Sequence, residues 1–175
     1  EEETPMQVSD AFEIGSITKS FTVAVALQLQ EEGILSLDDT LAQWLPEMAA
    51  QVPNGDQMTL RQLAGNAAGT WDYGDPLLEA GMSDANLRRQ AFTPAEIISY
   101  AVENGEPQFA PGADRSYSST NFVLLGMALV TVSLGFLRRH SGAAARRLLL
   151  ASVVIFPLVV AHLPRDYFVR DRRDP

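Results

Sequence analysis

The sequence predicts a helix-rich domain with little sheet, followed by a hydrophobic C-terminal helix. Three observations carry this. Apolar stretches of helical length recur, each opened by a capping residue or closed by a glycine. Alternating strand patterns are almost absent. The composition then changes abruptly after residue 137.

Residues 16–32 predict the first helix. Ser16 or Thr18 caps its start, and Gly33 suits a left-handed residue just past its end. The run Phe21, Val23, Ala24, Val25, Ala26, Leu27, Leu29 is apolar nearly all round, as in a helix buried mid-domain. Asp38 or Asp39 opens a short helix through Trp44, which Pro46 ends. Asn54-Gly55 makes a turn. Thr59 caps a helix to about Leu63, and 64–69 is small and loop-like. Residues 76–90 are polar and weakly helical. Thr93-Pro94-Ala95-Glu96 has cap, proline and acid in N-terminal order, opening a helix to about Asn104. Phe109-Ala110-Pro111-Gly112 turns, and Asn121 opens an apolar helix through Leu137.

The 175 residues, 46% apolar, suffice for one domain with a core. No cysteine is present, which excludes disulfides and thiol catalysis; two histidines alone argue against a structural zinc. The net charge of −9 is unevenly spread. Residues 1–137 carry five basic and nineteen acidic side chains, a net −14; residues 138–175 carry eight and three, a net +5. The acidic part argues against nucleic-acid binding, which needs a basic face. Glu1-Glu2-Glu3 opens the chain where a signal peptide would be basic and then apolar. Either a leader has been removed or the chain is a piece of a longer one.

Residues 138–175 form a basic-flanked hydrophobic segment. Leu148–Leu163 is apolar except at Ser152, Pro157 and His162, with Arg146 and Arg147 before it and Arg165, Arg170, Arg172 and Arg173 after it. A membrane helix over 146–164 is expected, near the ~20 residues that span a bilayer. A buried core helix is the alternative. Arginines on both sides leave its orientation open.

Chemistry concentrates at Ser16 and Lys19. Lys19 is the single lysine; the other twelve basic residues are arginine. Positions three apart share a helix face, about 5–6 Å apart at Cβ. A serine hydroxyl needs a base to become a nucleophile. A lysine can serve if burial lowers its pKa; an arginine cannot. A helix N-terminus also offers N–H groups to a developing oxyanion. By itself the Ser-x-x-Lys pair is a common coincidence.

The wider wording adds to it. "AFEIGSITKSFTVAVALQLQEEGILSLDDTLAQWLPE", "MTLRQLAGNAAGTWDY" and "FAPGADRSYSSTNFVLLGMAL" occur in that order. Together they resemble the serine β-lactamase-related family of class C β-lactamases, D-alanyl-D-alanine carboxypeptidases and related esterases, over about residues 8–130. The resemblance implies the α-rich part of the α+β β-lactamase/transpeptidase-like fold, with most sheet strands missing, in a partial domain over 1–137. It implies that Ser16 is the acylated nucleophile, Lys19 its activating partner, and Tyr117 the Tyr of the family's Tyr-x-Asn motif. The Ser16 N–H would supply half of the oxyanion hole. This chemistry needs no metal or organic cofactor. Without the resemblance, Tyr117 reads as a packed aromatic. Trp71 and Tyr73 would line the cleft or, more simply, belong to core or rim.

The chain departs from the family's pattern in three places. The Asn of Tyr-x-Asn is Ser119, a shorter group that would still reach Lys19 and, weakly, substrate; Asn121 comes two residues late. The usual Asn-His-Thr-Ser-Gly is Gly65-Asn66-Ala67-Ala68-Gly69, which removes groups that would tie the loop down. The third motif, Lys-Thr-Gly or His-x-Gly on a strand, has its letters at His140-Ser141-Gly142, but only 23 residues past Tyr117 and in no strand context. Losing one oxyanion donor costs about 2.7–4 kcal/mol in the transition state. Losing the sheet would expose apolar helix faces.

Three functions are compatible with these features. One is a serine hydrolase working through an acyl-enzyme on D-alanyl peptides, β-lactams or esters. It would sit at a bacterial cell membrane through the C-terminal segment, with its catalytic part outside the cytoplasm. The second is a non-catalytic, membrane-anchored fragment or pseudoenzyme of the same family. The third is an unrelated helical membrane-associated protein with a chance motif.

Overall fold

A computed structural model describes residues 6–8, 10, 12 and 14–139. The expected membrane helix at 146–164 and the His140-Ser141-Gly142 triplet lie outside these residues. Eight α-helices follow a 3-10 turn at Gly15–Ile17: α1 Thr18–Glu31, α2 Leu41–Trp44, α3 Pro46–Ala49, α4 Leu60–Ala64, α5 Gly74–Ser83, α6 Ala85–Arg89, α7 Pro94–Asn104 and α8 Ser119–Arg139. Among the described residues the only β-type pairing is an antiparallel bridge between Thr40 and Thr59. It sets the starts of α2 and α4 side by side: Leu41 N–H donates to the Met58 carbonyl at 2.8 Å, and Leu60 N–H to the Asp39 carbonyl at 3.0 Å.

Local chemistry fixes most helix ends. Thr59 accepts from the Gln62 N–H, and Gln62 accepts in return from the Thr59 N–H. Thr93 and Glu96 make the same reciprocal pair. Each pair satisfies two donors that the first turn leaves open. Past α1, Gly33 takes φ +66°, and Ile34 N–H reaches the Leu29 carbonyl while Gly33 N–H reaches that of Gln30. This six-to-one and five-to-two closure needs a left-handed residue, which glycine adopts without steric cost.

Three helix starts differ from expectation. α1 is capped by neither Ser16 nor Thr18; the 3-10 turn leads into it, and Thr18 Oγ1 donates to the Gly15 carbonyl at 2.8 Å. α2 starts from Thr40, where Gln43 accepts the Thr40 N–H, and not from Asp38 or Asp39. Asp39 instead accepts from Ser36 N–H and the Trp44 indole. α8 starts two residues before Asn121. Asp72, 47 residues earlier, accepts the Ser119 N–H at 2.9 Å and acts as a remote cap.

α8 organises the core. Val123, Leu124, Leu125, Ala128, Leu129 and Val132 are buried along it, and α1, α2, α4 and α7 pack around it. Among the described helices α8 alone is long and apolar enough to cross a bilayer, over Ser119–Arg138 at mean hydropathy 1.9, yet most of that stretch is buried in protein. α1 is different. Its inner face buries Val25, Ala26 and Leu29, while Ile17, Phe21 and Leu27 stand about half exposed. The apolar faces expected to be uncovered are found here.

The loop after α4 and the turn before Tyr117 are bound to each other. Gln108 N–H donates to the Gly69 carbonyl and Gly112 N–H to that of Ala67, both at 2.8 Å. Gly69 has φ +77°, and a Cβ on it would overlap the Phe109 carbonyl oxygen. Gly69→Ala is therefore expected to lower stability by about 1–3 kcal/mol. Urea denaturation checks this, as a lower midpoint at unchanged slope.

Candidate active site

The 3-10 turn gives Ser16 and Lys19 their relation. Side chains three apart eclipse in such a turn, and Lys19 Nζ donates to Ser16 Oγ at 3.1 Å. Ser16 is free of capping duty and exposed. Its Oγ also shares a 2.7 Å hydrogen bond with the Tyr117 hydroxyl, 101 residues away. Lys19 is half-buried, not buried. Its ammonium lies 5.2 Å from the Tyr117 ring centre and 5.6 Å from that of Phe122, a favourable placement for a cation over aromatic faces. One hydroxyl thus touches one ammonium and one phenol.

Two influences compete at Tyr117. Partial burial raises its pKa. The nearby Lys19 ammonium, the hydrogen bond with Ser16 and the Ser119 hydroxyl lower it and prevail, leaving the phenol more acidic than an ordinary tyrosine. The residue is half exposed, so solvent moderates the effect. A cleft of about 440 Å³ opens beside the three groups. Val23, Ala24, Leu27 and Phe122 give it an apolar wall, and Asn66 stands at its edge. Such a surface suits a small organic substrate held at a polar reacting centre.

The remaining expected site residues are elsewhere. Tyr73 is buried in the core, and its phenol is pushed far above the ordinary range by burial, then by Asp72 and Tyr117. Trp71 is half-buried with its ring against Gly105 and tilted on Tyr100 at 6.4 Å. Neither lines the cleft around Ser16. Ser119 gives its N–H to Asp72 and its hydroxyl interacts with Tyr117; no hydrogen bond joins it to Lys19 among the described residues.

The loop expected to have lost its ties is tied. Asn66, at φ +54°, accepts the Ser116 N–H on its backbone carbonyl and the Ser118 N–H on Oδ1. Asn121 is fully buried and donates its amide to the same Oδ1 at 3.1 Å, while its own Oδ1 accepts from Thr70 at 2.8 Å. Asn66, Thr70 and Phe122 escape sequence reasoning because their partners are distant in the chain. A faint signal was present: an asparagine amid small residues marks a position that tolerates left-handed backbone.

Three comparisons bear on this geometry. The profile of the Beta-lactamase family matches residues 1–147. A beta-lactamase of Pseudomonas fluorescens is 34% identical over 131 residues, covering 75% of this chain and 32% of that protein. The crystal structure of a D-stereospecific amidohydrolase from Streptomyces sp. superposes with TM-score 0.63 at 40% identity, covering 69% of this chain and 37% of that one. That of a penicillin binding protein from Bacillus halodurans does so with TM-score 0.56 at 30% identity, covering 70% and 34%. The chain spans 23–32% of the length of the first curated relatives it matches. With its helical part in the β-lactamase/transpeptidase-like arrangement and most of its length matched by the family profile, the chain belongs to the Beta-lactamase family of serine hydrolases.

Proposed function

We propose that this chain carries the acylating centre of a serine hydrolase, with Ser16 as nucleophile and Lys19 and Tyr117 as its proton-transfer pair. The observation that carries the proposal is the contact of Ser16 Oγ with the Tyr117 hydroxyl at 2.7 Å and with Lys19 Nζ at 3.1 Å. Both lie within the reach a general base requires. The Ser16 proton passes to the Tyr117–Lys19 pair as Oγ bonds to a substrate carbonyl carbon. The Ser16 backbone N–H supplies one oxyanion donor. The carbonyl bond to the leaving group then breaks, and a departing amine or alkoxide takes the proton back. Water hydrolyses the acyl-serine, releasing the acid and restoring the hydroxyl.

The substrates we propose are D-alanyl peptides, β-lactams or esters, with D-configured amides added by the likeness to the Streptomyces amidohydrolase. The partner would then be a small molecule or a cell-wall peptide. The bacterial relatives support a bacterial setting. A membrane anchor at 146–164, with Ser16 on the outer side, remains part of the proposal and lies outside the described residues.

One observation favours a second reading, that of a non-catalytic family fragment or pseudoenzyme held at a membrane. Ile17 in the 3-10 turn and Phe21 and Leu27 on α1 are about half exposed, and Leu27 is part of the cleft wall.

Intact-mass analysis after incubation with a penicillin and, separately, an activated ester separates the two. A covalent adduct is expected on the parent and none on Ser16→Ala; a folded parent that stays unmodified by both would rule out the acylating centre. Lys19→Arg keeps the charge but cannot give up its proton, so adduct formation should fall by about 10²–10⁴-fold, the usual worth of a positioned acid–base group. The pH dependence has a definite sign. Tyr117 accepts a proton only as phenolate, so acylation should rise with pH through a midpoint below that of an ordinary tyrosine. Lys19→Gln removes the charge that favours the phenolate and should move this limb to higher pH. A limb at the same pH in both proteins contradicts the Lys19–Tyr117 coupling.

A further inference from the structure

Ser16, in the 3-10 turn, and Lys19, in the first turn of α1, sit three residues apart in one continuous helical stretch, where backbone geometry holds them together. Tyr117 has no such support. It lies on an irregular segment between the Gly112 turn and the start of α8, and its phenol must meet a hydroxyl from the other end of the chain. What holds it there is legible in the hydrogen bonds on either side. The amide before Tyr117, at Ser116, donates to the Asn66 backbone carbonyl at 3.0 Å. The amide after it, at Ser118, donates to Asn66 Oδ1 at 3.2 Å. One residue grips the backbone on either side of Tyr117, at Ser116 and at Ser118.

We infer that Asn66 is a positioning residue for Tyr117, bracketing its backbone so that the phenol is held against Ser16 and Lys19. Three features support the assignment. Asn66 adopts φ +54°, which turns its carbonyl and side chain toward the same segment. Asparagine tolerates that backbone better than most residues while also offering a carboxamide. Its Oδ1 is itself oriented by Asn121 Nδ2 at 3.1 Å, and Asn121 is fixed by Thr70 from the core. The bracket therefore connects a rigid buried cluster to a half-exposed reacting group. A displacement of about 1 Å at such a group is enough to cost two orders of magnitude in rate. This inference rests on the reading of Tyr117 as the proton-transfer phenol, but its test does not require turnover.

The test follows the Tyr117 phenol by NMR in the 175-residue chain labelled with ¹³C-tyrosine, its signal assigned with Tyr117→Phe. Asn66→Gly keeps the left-handed backbone and the bond to Ser116 but removes Oδ1. Val132→Ala is the control: it truncates a buried side chain about 20 Å further along α8, so it lowers stability without touching the bracket. The parent phenol should titrate below an ordinary tyrosine. Asn66→Gly should shift its midpoint upward as it leaves Lys19, and Val132→Ala should leave it in place. An unchanged midpoint in folded Asn66→Gly overturns the bracket while leaving the Ser16–Lys19–Tyr117 reading intact. An equal upward shift in Val132→Ala also overturns it, because general loosening then suffices. A parent phenol that titrates as an ordinary tyrosine overturns both. Amide exchange of the unmodified protein adds a check independent of any variant's folding. Ser116 and Ser118 should be better protected than the exposed Asp114 amide, and unprotected Ser116 and Ser118 amides overturn the bracket.

Discussion

The site depends on a small buried polar cluster at the start of α8. Thr70 donates to Asn121 Oδ1 and shares a bond with Ser118 Oγ, both at 2.8 Å, and Thr120 Oγ1 donates to the Trp71 carbonyl at 2.6 Å. Among the described residues no buried side-chain polar atom lacks a partner. That matters because an unsatisfied buried polar group costs about 1–3 kcal/mol, whereas a satisfied network rigidifies its surroundings. The cluster joins the loop after α4 to the segment that carries Tyr117. It does so at the end of the helix around which the core is built. Whatever fixes α8 in the core thereby fixes one wall of the cleft.

The other wall is α1, and the two meet through side chains alone. Ser16 and Tyr117 are brought together by the packing of α1 on α8. Their contact brings a hydroxyl, an ammonium and a phenol into one cluster. A phenol made more acidic by a neighbouring ammonium exists as phenolate, the form that can take a serine proton, at a lower pH than an ordinary tyrosine does. The two aromatic faces around Lys19 hold its charge near the phenol, and among the described residues no carboxylate pairs with it. The same wall leaves apolar side chains of α1, Phe21 and Leu27 among them, about half exposed.

The sequence made parts of this legible for plain physical reasons. The caps at Thr59 and Thr93 and the close at Gly33 are local events, and each was readable within four residues. The Ser16–Lys19 pair was readable for the same reason, being one turn apart. Its partner was not. Tyr117 emerged only through family resemblance, since nothing local links it to a residue 101 positions away. Asp72 as a cap for α8 and Asn66 as a tie for the Tyr117 segment were hidden for the same reason: each acts on backbone about 50 residues distant. Where local reasoning went astray, at the starts of α1, α2 and α8, plausible capping residues were already engaged elsewhere. Asn121 is the clearest case: it looked like a helix opener that came two residues too late for the family's Tyr-x-Asn motif, and it is a core residue. Tyr73 likewise proved to be core, not cleft.

The most direct test of the account is to locate the acyl group itself. The purified chain would be treated with a fluorescent penicillin or a chromogenic ester, quenched in acid, digested, and sequenced by tandem mass spectrometry. The account predicts the acyl group on Ser16, within the peptide that ends at Lys19. An acyl group on another residue, at comparable yield in Ser16→Ala, would contradict the account at its centre.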